Sequence, residues 1–520
     1  MNFLFNKRNL KTWLAGVVAA VMLTLPLTGC KAVQFSELLS STIDSSAVSS
    51  VSGSSPQQSY KPSSQAVSSQ KSQTSSVAAS SKAALKTSSV APVKAASKVR
   101  TQKVAATKAP TGNQSVKKIA ADQTTQTSTR LAVTQTKAAA ASYAHIDQRS
   151  GYNYLTDTIS RSLYSQMLQT VYQVTVQPTA EGYYPTARIT VSNAHLTEAQ
   201  LRVELMAFLN DNPQIFWLAN VYSYGYSNTD TYLQLYSVIP QNQCNTMVQQ
   251  LNSKVSTIIK AMPAGLSELD REAYLVDYLE KHCVYDTAAV TDSSRWKAFT
   301  SYGALVEGTV VCEGYSRAMQ LLSSYANLQC MLLTGQSNGV NHMWNLIKIG
   351  GNWYHLDITW NDNNPAIYNY FNVTDEVIKQ SRTIFPNASS LTATQIDGTD
   401  GSAAAGCNLS IPTCTATDAN YFRAKGIHIS DLSGTNDSAA ISAIVAAANQ
   451  KKDSVSFYIE ESADFDQILN GMVKGSPYQI VKYLDAANKT SGMKNQIVIS
   501  SIRYLSDPSD RGLTVFLSYQ

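Results

Sequence analysis

Cys312, His342 and Asp357 have the side-chain types and the order that nucleophilic acyl chemistry requires. Cys312 lies in Val311-Cys312-Glu313-Gly314-Tyr315-Ser316, and the apolar spacing of Met319, Leu322 and Ala326 behind it marks the buried face of a helix, so the cysteine stands at a helix start. The first turn of a helix presents N–H groups that the helix cannot satisfy from within, together with the positive end of its dipole. Both stabilise a thiolate over a thiol. The same N–H groups suit the oxyanion that forms when a thiolate attacks a carbonyl. A lone cysteine is more often a small buried hydrophobe, so the chemistry needs partners.

The elements that must position those partners are strands. Residues 330–335, 342–349 and 353–360 read as three consecutive strands, with Gly350-Gly351 as a two-residue hairpin turn between the last two. If Ile349 pairs with Asn352, then Trp344 faces Asp357 and His342 faces Thr359, and all four project from one face of the sheet. His342 and Asp357 become diagonal neighbours within hydrogen-bond reach, whereas a loop one residue longer would put them on opposite faces. In that arrangement Cys312 attacks an amide carbonyl, and His342 takes the thiol proton and returns it to the departing amine. Asp357 fixes the imidazole tautomer and stabilises its charged form. His355 shares the face but stands opposite Leu346, further from the helix start, so His342 is the preferred base.

The ordered set Gly303-Ala304-Leu305 through Cys312-Glu313-Gly314-Tyr315, then His342-Met343-Trp344-Asn345, then Trp353-Tyr354-His355-Leu356-Asp357-Ile358-Thr359-Trp360 resembles the core of the bacterial transglutaminase-like superfamily, over about residues 265–375. Tyr370-Phe371-Asn372-Val373-Thr374-Asp375 resembles the segment that often follows. The resemblance implies a papain-like α+β fold, in which a helix bearing the cysteine packs on an antiparallel sheet bearing histidine and aspartate. It also implies thiol-dependent acyl transfer or amide hydrolysis on peptide or protein substrates, without metal or other cofactor. An oxyanion donor upstream of the cysteine stays open between Gln and Tyr candidates. Hydrolysis by a protease or amidase is favoured over transamidation because water is abundant and no amine-selective feature is visible. The alternative is an inactive scaffold that keeps the fold to bind peptide or cell-wall material. Trp344, Trp360 and Tyr315 are candidate substrate-cleft residues, although large aromatics in a hairpin are commonly core. Glu313 and Arg317 read as a structural or surface ion pair.

The start of the chain speaks to location. Lys7, Arg8 and Lys11 precede a short apolar segment, and Leu27-Thr28-Gly29-Cys30 follows it, so residues 1–29 read as a secretory signal rather than a membrane span. The ending resembles a bacterial lipobox, which makes Cys30 the expected lipidation site and the protein extracytoplasmic and lipid-anchored. Residues 30–140 are mostly Ser, Ala, Thr, Gln, Val and Lys and cannot bury enough apolar surface to fold, so they read as a disordered tether. A tether of roughly 100 residues has a root-mean-square span of about 55 Å. Residues 1–140 carry 17 Lys and Arg against three acids; with the whole chain at +5, the remainder is net −9. The basic balance therefore belongs to the tether. It suits anionic lipid or cell-wall polymers and gives no support for a nucleic-acid partner.

The rest divides by pattern into an α+β lead-in (141–262), the catalytic core (263–387), a Ser/Thr/Ala/Gly-rich linker (388–418) and a small α+β domain (419–520) with no reactive cluster. In the lead-in, Thr197-Glu198-Ala199-Gln200 is a capping box opening a helix. Setting aside Cys30 and Cys312 leaves five cysteines, of which Cys407 and Cys414 are the closest candidates for a pair.

Overall fold

A computed structural model describes residues 149–520 apart from 402, 403 and 477, and the backbone of two short strands, Ser41–Asp44 and Lys117–Lys118. The signal, Cys30 and the remainder of the tether lie outside the described residues. No helix among the described residues is long and apolar enough to cross a membrane.

The lead-in begins with helix α1, Thr158–Thr170, whose N-cap Asp157 accepts from the Ser160 N–H. Helix α2, Glu198–Asp211, opens on the expected capping box, with Thr197 and Gln200 satisfying each other's backbone. Strands β1 (Leu218–Tyr226) and β2 (Thr231–Ser237) form an antiparallel pair, followed by helices α3 (Gln241–Ala261) and α4 (Glu268–His282). The lead-in shares its apolar interior with the core: one hydrophobic cluster runs from Leu155 and Phe208 through Leu275 and Leu322 to Ile347 and Phe371. Polar clasps reinforce the join, since Arg317 Nη1 and Gln320 Nε2 donate to the Leu209 and Asn210 carbonyls at the end of α2.

Helix α5, Cys312–Tyr325, packs on a five-stranded antiparallel sheet. The sheet is built from β3 (Gln329–Ser337), β4 (Val340–Ile349), β5 (Asn352–Leu356), β6 (Phe371–Val373) and β7 (Arg382–Ile384), in the order β6-β5-β4-β3-β7. Ile349 pairs with Asn352 across the Gly-Gly turn, whose φ values of +58° and +88° are accessible to glycine without strain. The third strand stops earlier than its composition suggests. After Leu356 the chain turns into a short helix, α6 (Ile358–Asn361), because the Trp360 and Asn361 N–H groups close onto the Asp357 carbonyl. Thr359 is therefore in a helical turn and does not face His342.

The stretch expected as a linker packs instead of spanning a gap. Cys407 and Leu409 enter the main cluster, and the Asn408 amide accepts from the Thr334 N–H at 2.8 Å while donating to the Thr334 and Phe385 carbonyls. Beyond it, β8 (Ile427–Ile429), helix α7 (Asp437–Asn449), β9 (Ser454–Ile459), helix α8 (Gln479–Asn488), β10 (Ser501–Asp507) and β11 (Gly512–Phe516) make the final unit, its strands ordered β10-β11-β9-β8. Ser41–Asp44 pairs with the outer edge of β10. Leu505 and Phe516 of this unit pack on Ile367, and Asn369 Nδ2 donates to Asp507 Oδ2 at 2.7 Å.

Candidate active site

Val311 is the extended N-cap of α5, which makes Cys312 the first residue of the helix. Gly314 is required there, since a Cβ at that position would lie 2.5 Å from the Ala298 carbonyl oxygen. One turn on, Ser316 Oγ donates within 2.9 Å of the Cys312 carbonyl and 3.0 Å of the Met343 carbonyl, while Asn345 Nδ2 donates to the Ser316 carbonyl. The helix start is thus held against β4 at the residue next to His342.

His342 Nε2 lies 2.8 Å from Asp357 Oδ2, and both side chains are enclosed, at 3% and 0% exposure. The Asp357 backbone fixes the direction of its side chain: its N–H donates to the Tyr370 carbonyl and its own carbonyl caps α6. The same Oδ2 receives Arg382 Nη2 at 2.8 Å and Nε at 3.3 Å. Burial pushes the Asp357 carboxyl up, but the charges and hydrogen bonds of His342 and Arg382 outweigh it and hold the group below the usual carboxylate range. An ionised Asp357 only accepts, so Nε2 of His342 carries the proton that it donates, and Nδ1 is the basic nitrogen.

Arg382 has no local sequence signal and belongs to this site only through tertiary structure. It reaches Asp357 from the far edge of the sheet, on β7, and its guanidinium lies 4.4 Å from the Trp360 ring centre and 4.2 Å from that of Tyr370. Trp360, a candidate cleft residue, covers this cation.

The other two cleft candidates are interior. Trp344 is 1% exposed, lies nearly parallel to the His342 ring with centres 5.8 Å apart, and donates its Nε1–H to His355 Nδ1 at 3.0 Å. Tyr315 is equally buried and donates to Asp362. His355 is committed elsewhere, its Nε2 lying 2.8 Å from Asp375 Oδ1. Glu313 and Arg317 form a buried i,i+4 pair at 2.8 Å rather than a surface one. None of the six described cysteines is in a disulfide; Cys407 Sγ lies against Met206 Sδ, and Cys414 belongs to a different cluster.

Among the described residues one group has metal-site spacing: His355, Asp375 and Cys414, with donor atoms within 4.8 Å of one another. The donor set does not fit a cation. Trp344 donates to His355 Nδ1, so the imidazole proton sits on Nε2, the atom that would have to face the metal. Ligation through Nε2 would protonate Nδ1 and set two donors against each other, the reverse of the acceptor that normally backs a ligating histidine.

No family model matches this chain. Two curated peptidases are similar to part of it. Kyphoscoliosis peptidase of mouse is 26% identical over 127 residues, covering 22% of this chain and 19% of the relative. The human protein of the same name is 27% identical over 106 residues, covering 18% and 16%. The chain therefore spans less than a fifth of the length of the curated relatives it matches. Among solved structures, a transglutaminase aligns at 17% identity and TM-score 0.19, over 33% of this chain and 50% of that one. A protein described as a candidate cysteine protease from Cytophaga hutchinsonii aligns at 12% identity and TM-score 0.19, over 41% and 73%.

Proposed function

We propose that this chain is a thiol-dependent acyl-transfer enzyme acting on peptide amide bonds, with Cys312 as nucleophile, His342 as base and Asp357 as the group that orients and charges the base. The observation that carries the reading is the buried 2.8 Å contact between His342 and Asp357, on the strand against which the helix beginning at Cys312 is pinned. His342 Nδ1 accepts the thiol proton as sulfur attacks the carbonyl carbon; the same proton then passes to the leaving amine as the C–N bond breaks. The resulting thioester is resolved by water, the favoured outcome, or by a second amine. N–H groups of the first turn of α5 suit the oxyanion. The export signal and Cys30 support an extracytoplasmic, lipid-anchored enzyme whose basic tether approaches anionic lipid or wall polymers.

The test is incubation of the full chain with a peptide library, with and without a primary amine, analysed by mass spectrometry. Cleaved or deamidated products favour hydrolysis; amine adducts favour transamidation. Loss of both in Cys312→Ala and in His342→Ala is expected, and turnover that persists in Cys312→Ala would overturn the assignment. One observation favours the scaffold alternative: Cys312 and His342 are closed to solvent, at 0% and 3% exposure. A chain that binds library peptides without converting them would support that alternative.

A further inference from the structure

Asp357 Oδ2 serves three donors at once: His342 Nε2 at 2.8 Å, Arg382 Nη2 at 2.8 Å and Arg382 Nε at 3.3 Å. The carboxylate and the guanidinium side chains have no exposed surface. A carboxylate in such a place with only a neutral imidazole beside it would be neutralised by taking up a proton. There are two ways to do so. The proton can go to His342, giving an imidazolium that carries hydrogen on both nitrogens. Alternatively it stays on Asp357, which then donates to Nε2 and forces the imidazole hydrogen onto Nδ1. In both states Nδ1 already holds a hydrogen and cannot accept another. A fixed positive charge on the same oxygen removes the need for either, because arginine stays protonated.

We propose that Arg382 is the positioning residue that keeps Asp357 ionised while His342 is neutral, and so keeps the lone pair on His342 Nδ1. Its surroundings suit the task. The Trp360 and Tyr370 rings, inclined at 70° to each other, flank the guanidinium on two adjacent sides, and Ser381 Oγ accepts from Nη1 at 2.7 Å, so the cation is held by contacts within the protein. The other charged or titratable groups around the pair are accounted for. On α5, Cys312 begins the helix and Glu313 is paired with Arg317. On the sheet, neutral His355 is held between Trp344 and Asp375, and Asp375 is offset by Lys379 at 3.6 Å. Tyr370 contributes its ring. Among the described residues, Arg382 is the fixed cation in contact with Asp357.

The catalytic consequence rests on the proposed Cys-His-Asp function, but the charge coupling does not, and the experiment separates them. The full chain, labelled with 13C and 15N in its six histidines, is titrated by NMR, with His342 assigned by its loss in His342→Gln. In the native protein at mildly alkaline pH the 15N shifts should show hydrogen on Nε2 and none on Nδ1; the opposite tautomer overturns the proposal without any arginine variant. In Arg382→Gln, His342 should either titrate about one to three pH units higher or switch its hydrogen to Nδ1. Arg382→Lys, which keeps the charge but loses the two-pronged contact, should restore part of the native behaviour. An unchanged midpoint and tautomer in both variants, with the other five histidine signals in place, would overturn the proposal. Cys312 that proves inert while the His342 midpoint moves would remove the enzyme and leave this coupling standing.

Discussion

A pulse of iodoacetamide on the native chain, read by mass spectrometry of each cysteine peptide, tests the activated thiol against internal controls that the fold supplies. Cys244, Cys283, Cys330, Cys407 and Cys414 are all buried, as Cys312 is, so access through local opening is common to the six. Burial pushes the Cys244 and Cys407 thiols up to about 11 and those of Cys283 and Cys414 to about 12, and it raises Cys330 further. At neutral pH such thiols hold roughly one part in 10⁴ to 10⁵ as thiolate, whereas an ordinary thiol holds about 3%. That is a gap of at least about 300-fold in the reactive form. A thiolate of lower pKa is intrinsically the weaker nucleophile, by about 0.4–0.5 log units per pKa unit, which gives back about tenfold. Burial alone would leave Cys312 level with the other five, so a lead of about 30-fold is expected only if the helix start and proton transfer to His342 bring its thiol back to the ordinary range. His342→Ala should remove most of that lead. Labelling of Cys312 no faster than that of Cys244 or Cys407 would refute the reasoning, because neither the helix start nor the histidine would then be acting on the sulfur.

Three further outcomes follow from buried contacts. Glu272 has no exposed surface and burial raises its carboxyl from 4.5 to about 8, so between those values the folded state holds a proton that the unfolded state releases. Native stability should fall as pH rises across that window, and Glu272→Gln should gain on wild type by on the order of 2–4 kcal/mol between its two ends in urea titrations; a pH-independent difference would refute this. Trp344→Phe removes the donor to His355 Nδ1 and should cost about 1–3 kcal/mol in denaturant unfolding, while a cost near zero would show that the bond contributes nothing. Gly314→Ala forces a methyl against the Ala298 carbonyl and should destabilise by about 1–3 kcal/mol or more; an unchanged melting temperature would mean the turn can move aside.

What was legible in the chain, and what was not, divides by the range of the interaction that decides it. The helix start at Cys312 follows from apolar spacing within about two turns, and the pairing of Ile349 with Asn352 follows from two adjacent glycines, so both can be read locally. The end of β5 cannot. Ile358, Thr359 and Trp360 are all residues that favour strands, but hydrogen bonds from Trp360 and Asn361 to the Asp357 carbonyl override that propensity. The turn leaves the diagonal contact set by the register intact, because the Asp357 carboxylate still lies 2.8 Å from His342 Nε2. Trp344 could be placed on a face but not in a role, since its partner His355 is named only by the register. The 388–418 stretch looks like a linker by composition because its contribution is made by a few residues, Cys407, Asn408 and Leu409, whose targets lie far away in sequence. Arg382 is the extreme case. It is one arginine opening a three-residue edge strand after a polar turn, 25 residues past the carboxylate it charges, and only the closure of the sheet by β7 brings the two together. Local pattern can thus nominate a nucleophile and a base; the ionisation state in which the base can act is set by a tertiary contact that leaves no local trace.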